Sequence, residues 1–139
     1  MVGAWVACGT LVVGAAAAER RRYPDSGYRV RLPNVDRALI DEAKLREYLL
    51  SDAHQVGRFK ATFFRALGFT LDQWQELRDA ILDLAAHEVA EPTEITAFGS
   101  KYRVVGLLAG PTGRQATVVT IWIVLHGEEL PRFITAYPG

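Results

Sequence analysis

Cysteine is nearly missing. The 139-residue chain holds one, Cys8, so no disulfide framework can staple it internally. Histidine is scarce as well: His54, His87 and His126 are scattered, and without a cysteine pair to join them no metal-ligand spacing assembles. Net charge is also absent, because sixteen basic and sixteen acidic side chains cancel. That argues against a protein that holds nucleic acid chiefly through its overall field, while leaving room for a local basic site. No motif implies a cofactor. What is present is a half-apolar chain, long enough to bury the core of one ordinary domain and with no sign of a second.

Residues Val2 to Ala18 form an unbroken apolar run of 17, followed by Glu19 and then Arg20, Arg21 and Arg22. Three readings compete. A signal peptide would have the small-residue end but lacks a charged start. A membrane anchor would be at the short limit, with its positive charge placed to keep the bulk of the chain cytoplasmic. A misassigned start codon is the favoured reading, because nothing connects the run to the later pattern and Tyr23 to Gly27 reads as a turn-forming linker. The extension is therefore expected to cover residues 1–31 and a single cytoplasmic domain 32–139, with no membrane partner unless the run is a true anchor.

Along the domain, Tyr28, Val30 and Leu32 alternate like a short strand. Asp36 or Asp41 can cap a first helix carrying Leu45, Tyr48 and Leu49. The stretch Ser51 to Lys60 should turn the chain and start a second helix, which faces inward with Phe59, Phe63, Ala66 and Leu67 and stops at Gly68. Thr70 and Gln73 fit a capping box for a third, with Leu71, Trp74, Leu77, Ile81 and Leu84 as its apolar stripe. Between Leu71 and Glu91 six acidic side chains face one basic one, so negative charge gathers on this helix, which Glu91-Pro92-Thr93 should end. A short strand around Ile95 to Phe98 follows.

The segment Lys101 to Pro138 reads as an antiparallel meander. In Arg114 to His126 strict alternation sets Val119, Ile121, Ile123 and Leu125 against Arg114, Thr120, Trp122 and His126. Two local rules disagree about its register. Gly110-Pro111-Thr112-Gly113 suits a three-residue loop with a bulge, which would put Tyr102 and Val104 on the face of Thr120 and Trp122. The hydrophobic pattern instead favours a four-residue loop pairing Ala109 with Arg114, which keeps Lys101 and Arg103 off an Ile-lined core. The second is preferred because each buried, uncompensated charge would cost several kcal/mol, roughly. Val119, Ile121, Ile123, Phe63, Trp74 and Leu77 are then expected in the core. In the last strand either Ile134 and Ala136 or Phe133 and Tyr137 point inward. The fold expected is α+β, three N-terminal helices packed on a three- to four-stranded antiparallel meander.

Lys44-Leu45, Tyr48-Leu49-Leu50, His54, Gly57-Arg58, Lys60-Ala61 and Phe63-Phe64 form one group of motif residues. Lys101-Tyr102, Gly106, Gly110-Pro111, Gly113-Arg114, Thr120-Ile121-Trp122, Pro131-Arg132-Phe133 and Thr135 to Pro138 form another. Together they resemble an uncharacterised bacterial domain family, a domain of unknown function whose members look like small stand-alone proteins or pieces of toxin systems. Gln55 stands where that family is expected to carry Pro, and the first thirty residues have no counterpart. More loosely, helices followed by a meander bearing Arg, Lys, His, Thr and Tyr resemble the metal-independent RNase toxins of the barnase, colicin and RelE type, an analogy of fold alone.

Cleaving RNA without metal requires a base, an acid and fixed cations. His54, Arg114, Thr120 and Arg132 are the candidate catalytic residues, and Arg58, Lys60, Lys101 and Tyr137 the candidate substrate-binding ones. Each has a plainer alternative: a capping histidine, a solvated first helical turn, a surface arginine, a packing tyrosine. The partner is then RNA. In the competing reading it is a small cognate protein, met by the acidic third helix in an antitoxin- or immunity-type complex without catalysis. The sequence leaves open whether the chain is an enzyme.

Overall fold

Asp41 opens the first helix, its carboxylate accepting a hydrogen bond from the Ala43 N–H at 3.0 Å. The computed structural model describes the backbone of residues 30–51 and 57–139, and the side chains of all of these except Gly57 and Arg58. Helix α1 (Glu42–Lys44) runs directly into one π-helical turn, Leu45–Leu49, closed by Leu50 N–H on the Leu45 carbonyl at 2.9 Å. The wide turn brings Leu45, Leu49 and Leu50 into the core while Lys44 and Tyr48 stay half-buried on one side. Asp36 lies instead in a 3₁₀ turn, Val35–Arg37. Val30 to Leu32 form no strand, although Leu32 is buried; Tyr28 and the apolar run lie outside the described residues.

Helix α2 (Gly57–Ala66) presents Ala61 and Phe64 to the core, with Leu67 just beyond it, and Phe59 is 71% exposed. Leu67 is thus buried and Phe63 packs against the core as expected, whereas Phe59 and Ala66 are exposed: the small Ala61 lets the helix approach closely and Phe64 fills the space. Gly68, at φ 103°, ends it as expected. Helix α3 (Trp74–His87) buries Leu77, Ile81, Leu84 and Ala85, whereas Leu71 precedes it and is exposed. Thr70 caps the turn before the helix, its hydroxyl accepting from the Gln73 N–H at 3.3 Å. The helix stops at His87, before Glu91-Pro92-Thr93, which already belong to a strand.

That strand is β1 (Ala90–Ile95), earlier than the expected Ile95 to Phe98. The latter residues turn the chain, with the Thr96 hydroxyl accepting from the N–H groups of Phe98 and Gly99. It continues into β2 (Gly99–Ala109), β3 (Gln115–Leu125) and β4 (Arg132–Pro138), all neighbours antiparallel in the order β1-β2-β3-β4. Three helices and an antiparallel sheet make the fold α+β, as the sequence patterning implies.

The register corrects the preferred reading. Ala109 pairs with Gln115, Val104 with Thr120 and Tyr102 with Trp122, the parity that turn chemistry favours. Val118, Thr120 and Trp122 are fully buried under the helices, while Ile121 and Ile123 are half-buried on the opposite face. Arg103 and Lys101 lie on that outer face, where Arg103 pairs with Glu91 at 3.0 Å and Lys101 with Glu94 at 3.7 Å. The charge burial that argued against this register is never incurred. Thr120 enters the core at no polar cost, because its hydroxyl donates to the Val104 carbonyl and accepts from the Trp122 indole N–H, both at 2.9 Å.

A bulge resolves the ambiguity of β4. Ile121 pairs with Thr135 but Trp122 with Phe133, so Ile134 is an extra residue, and Phe133 and Ala136 both turn inward although they differ in parity. Phe133 packs edge-to-face on Trp122, centroids 5.4 Å apart.

Candidate functional site

The bulge that turns Phe133 inward also shapes a candidate site on the surface. Beside Ile134 and Thr135, at the edge of β4, lies a cavity of about 540 Å³ whose other wall carries Asp41, Ala43, Lys44, Glu47, Tyr48 and Lys60. Lys44 and Tyr48 are four residues apart and share one helical side; Lys60 is delivered by the first turn of α2. The Lys60 ammonium donates to the Tyr48 hydroxyl at 2.9 Å and to the Thr135 hydroxyl at 2.8 Å. It lies 4.8 Å from the centroid of the Tyr48 ring and 5.9 Å from that of Tyr137. Lys44 donates to the carbonyl of Ile134 at 3.1 Å.

Electrostatics follow from this packing. The hydrogen bond from Lys60 holds the Tyr48 hydroxyl below its ordinary range against the opposing effect of burial, and the charges of Lys60 and Lys44 and the Thr135 hydroxyl add to it. Tyr102 moves the other way, raised by burial alone. Among the described residues Lys44 and Lys60 form no ion pair, unlike Arg46 with Glu42, Lys101 with Glu94, Arg103 with Glu91 and Arg132 with Glu128. Two ammonium groups, a phenol hydroxyl and a threonine hydroxyl can together hold and polarise an oxyanion. No described group of three or more His, Cys, Asp or Glu side chains could hold a metal ion.

Of the residues singled out from sequence, Lys60 and Tyr137 come together here. Of the others, Arg114, Thr120, Arg132 and Lys101 do not join them. Arg114 stands in the β2–β3 turn, donating to the Ala66 carbonyl at 3.2 Å, and with Thr112 on the Leu67 carbonyl it closes the C-terminal end of α2. Thr120 is enclosed in the core. Arg132, its charge held by Glu128, sits at the start of β4, and Lys101 is on the outer sheet face. His54 and the Arg58 side chain lie outside the described residues. Lys44 and Tyr48 were legible only as motif residues, Tyr48 having been taken for part of the inward helical face; their four-residue spacing, with lysine in the next helix, was the available signal.

This is a small α+β domain with a pocket at the edge of its sheet in which Lys44, Lys60 and Tyr48 meet beside Asp41 and Glu47. The chain belongs to the family described as Domain of unknown function (DUF6883), which matches residues 31–139. Curated proteins give no match. Among solved structures it is similar to a chain of a contact-dependent growth inhibition toxin–immunity protein complex from Klebsiella pneumoniae 342, at 17% identity and a TM-score of 0.56, over 75% of this chain and 95% of that one. At that identity the likeness shows a shared fold. No described helix is long and apolar enough to cross a membrane.

Proposed function

We propose that the domain is a toxin-type ribonuclease that cleaves RNA without a metal ion, at the Lys60–Tyr48–Thr135 cluster. The observation that carries this is the Lys60 ammonium, held by two hydroxyls at 2.8 and 2.9 Å inside an open cavity and paired with no carboxylate among the described residues. The structural neighbour's place in a toxin–immunity complex supports a toxin- or immunity-related role.

In this reading Lys44 and Lys60 hold the non-bridging oxygens of the scissile phosphate and Thr135 donates its hydroxyl proton to one of them. A base removes the proton of the 2′-hydroxyl and the 2′ oxygen attacks phosphorus. The bond to the 5′ oxygen breaks, and an acid protonates that oxygen, leaving a 2′,3′-cyclic phosphate and a 5′-hydroxyl. Tyr48, poised by Lys60 to give up its proton, fills one of these roles. His54, six residues from both Tyr48 and Lys60 in sequence, is proposed for the other.

Incubating the purified protein with RNA, with and without EDTA, and repeating with His54→Ala and Lys60→Ala, tests the reading. Cleavage that survives EDTA and falls roughly 10²- to 10⁴-fold in the variants is expected. No cleavage under any metal condition would refute it.

One observation favours a second reading, a non-catalytic interaction protein. One part of the outer sheet face is apolar, with Val105 40% and Leu107 62% exposed beyond the charged Lys101 and Arg103 that lie opposite Ile123 and Ile121. Absence of cleavage together with stable capture of a cognate protein through this face would support it.

A further inference from the structure

A second cavity, of about 390 Å³, opens beside the first and is lined by Leu39, Ile40, Asp41, Lys44, Arg132 and Phe133. Asp41 and Lys44 belong to both, so the two form one groove along the edge of β4. Their chemistry differs. The first sets Lys44 and Lys60, neither ion-paired among the described residues, on a wall that also carries Asp41 and Glu47. In the second, Glu128 neutralises Arg132 through contacts at 2.9 and 3.4 Å, the shared Asp41 and Lys44 offset one another, and Leu39, Ile40 and Phe133 form the walls, so no cation but the shared Lys44 is left without a counter-charge of its own. A second phosphate is disfavoured there, whereas a flat, weakly polar body with N–H groups for Asp41 is suited to it.

Leu39 is the informative residue. Its N–H donates to the Pro131 carbonyl and its carbonyl accepts from the Phe133 N–H, both at 2.9 Å, so its backbone is fastened to the strand while its side chain stays 41% exposed. An apolar side chain held rigidly in the open, next to a guanidinium plane oriented by its own carboxylate, makes a preformed wall for a planar ring.

Resting on the ribonuclease reading above, we propose that this second cavity is a nucleobase subsite. The groove then takes single-stranded RNA, with a phosphate between Lys44 and Lys60 and a neighbouring base against Leu39, Ile40 and Arg132. Phosphate contacts position the strand, and the base contact confers preference for unpaired RNA, whose bases are free to leave the stack.

The test is equilibrium binding of the full chain, at fixed salt, to a fluorescent 2′-O-methyl hexanucleotide that cannot be cleaved and to the same strand made abasic, with equal charge. The intact strand should bind about tenfold tighter, the scale of one base stacked on a protein surface. Leu39→Asp should erase that difference, its added charge weakening both strands, and Lys60→Met should weaken both strands equally while preserving the difference. Arg132→Gln, at an exposed position, should reduce the difference without disturbing the fold, and melting curves identify any variant that does not fold. Equal affinity for the two strands, or a preference untouched by both Leu39→Asp and Arg132→Gln, overturns the subsite. If RNA is nevertheless cleaved, the ribonuclease reading stands without it; if neither strand binds, both fail.

Discussion

The Lys60 ammonium reaches the hydroxyl of Tyr48 across twelve residues of chain, at 2.9 Å, and grips the Thr135 hydroxyl with a second bond. One lysine thereby ties the end of the first helical segment to the bulged edge of β4, and the cavity exists where these parts meet. The predictions below test that arrangement, the packing behind it and its chemistry.

Tyr48 should ionise at lower pH than an ordinary tyrosine, because Lys60 favours the phenolate. An unfolded tyrosine titrates near ~10. The folded chain therefore releases the proton first, so this group adds stability as pH rises through the folded midpoint towards ~10 and loses it as pH falls back through that midpoint. Ultraviolet titration of tyrosinate in the intact protein and in Lys60→Met should show one midpoint moving upward in the variant. Superimposable curves would mean that the contact is not made in solution.

The β2–β3 turn should behave as a clamp on α2. A Cβ on Gly110 would fall 1.7 Å from the Leu67 carbonyl oxygen, whereas one on Gly113 would meet nothing within 4 Å. Gly110→Ala should therefore lower the melting temperature severely. Gly113→Ala should cost only about 1–2 kcal/mol, from its left-handed φ of 92°. Arg114→Ala, losing one bond to the end of α2, should cost about 0.5–1.5 kcal/mol and leave any RNA cleavage rate intact.

The sheet faces can be told apart by truncation. Leu77→Ala, in the core, should cost about 2–5 kcal/mol, but Ile121→Ala, half-buried on the outer face, should cost less than half as much. Urea unfolding of the two variants decides it. Equal losses would mean that the outer face is covered in solution.

The architecture was readable because the signals were redundant: helical spacing before residue 90, alternation after it, and glycines at Gly68 and Gly113 where the chain turns. The register was not. Alternation in β3 says only that Val119, Ile121 and Ile123 share a face, and because that outer face is apolar too, hydrophobicity pointed to the wrong side for Ile121 and Ile123, although Val119 is buried as expected. The turn at Gly110 to Arg114 held the correct parity, and Trp122 with its hydroxyl partner Thr120 belonged inside. The site was half legible for a related reason. Lys60 and Tyr137 carry obvious chemistry, but an arginine such as Arg114 looks the same in sequence whether it meets a phosphate or a helix end. The role of Tyr48 depends on a bulge at Ile134 that no local pattern announces.

The most direct test of the account is the single-turnover rate of RNA cleavage in EDTA for the intact protein, Lys60→Met and Tyr48→Phe, with circular dichroism confirming that each is folded. The account predicts 2′,3′-cyclic phosphate ends from the intact protein and a fall of roughly 10²-fold or more in each variant. Full activity in both variants, or no cleavage by the intact protein, would contradict it.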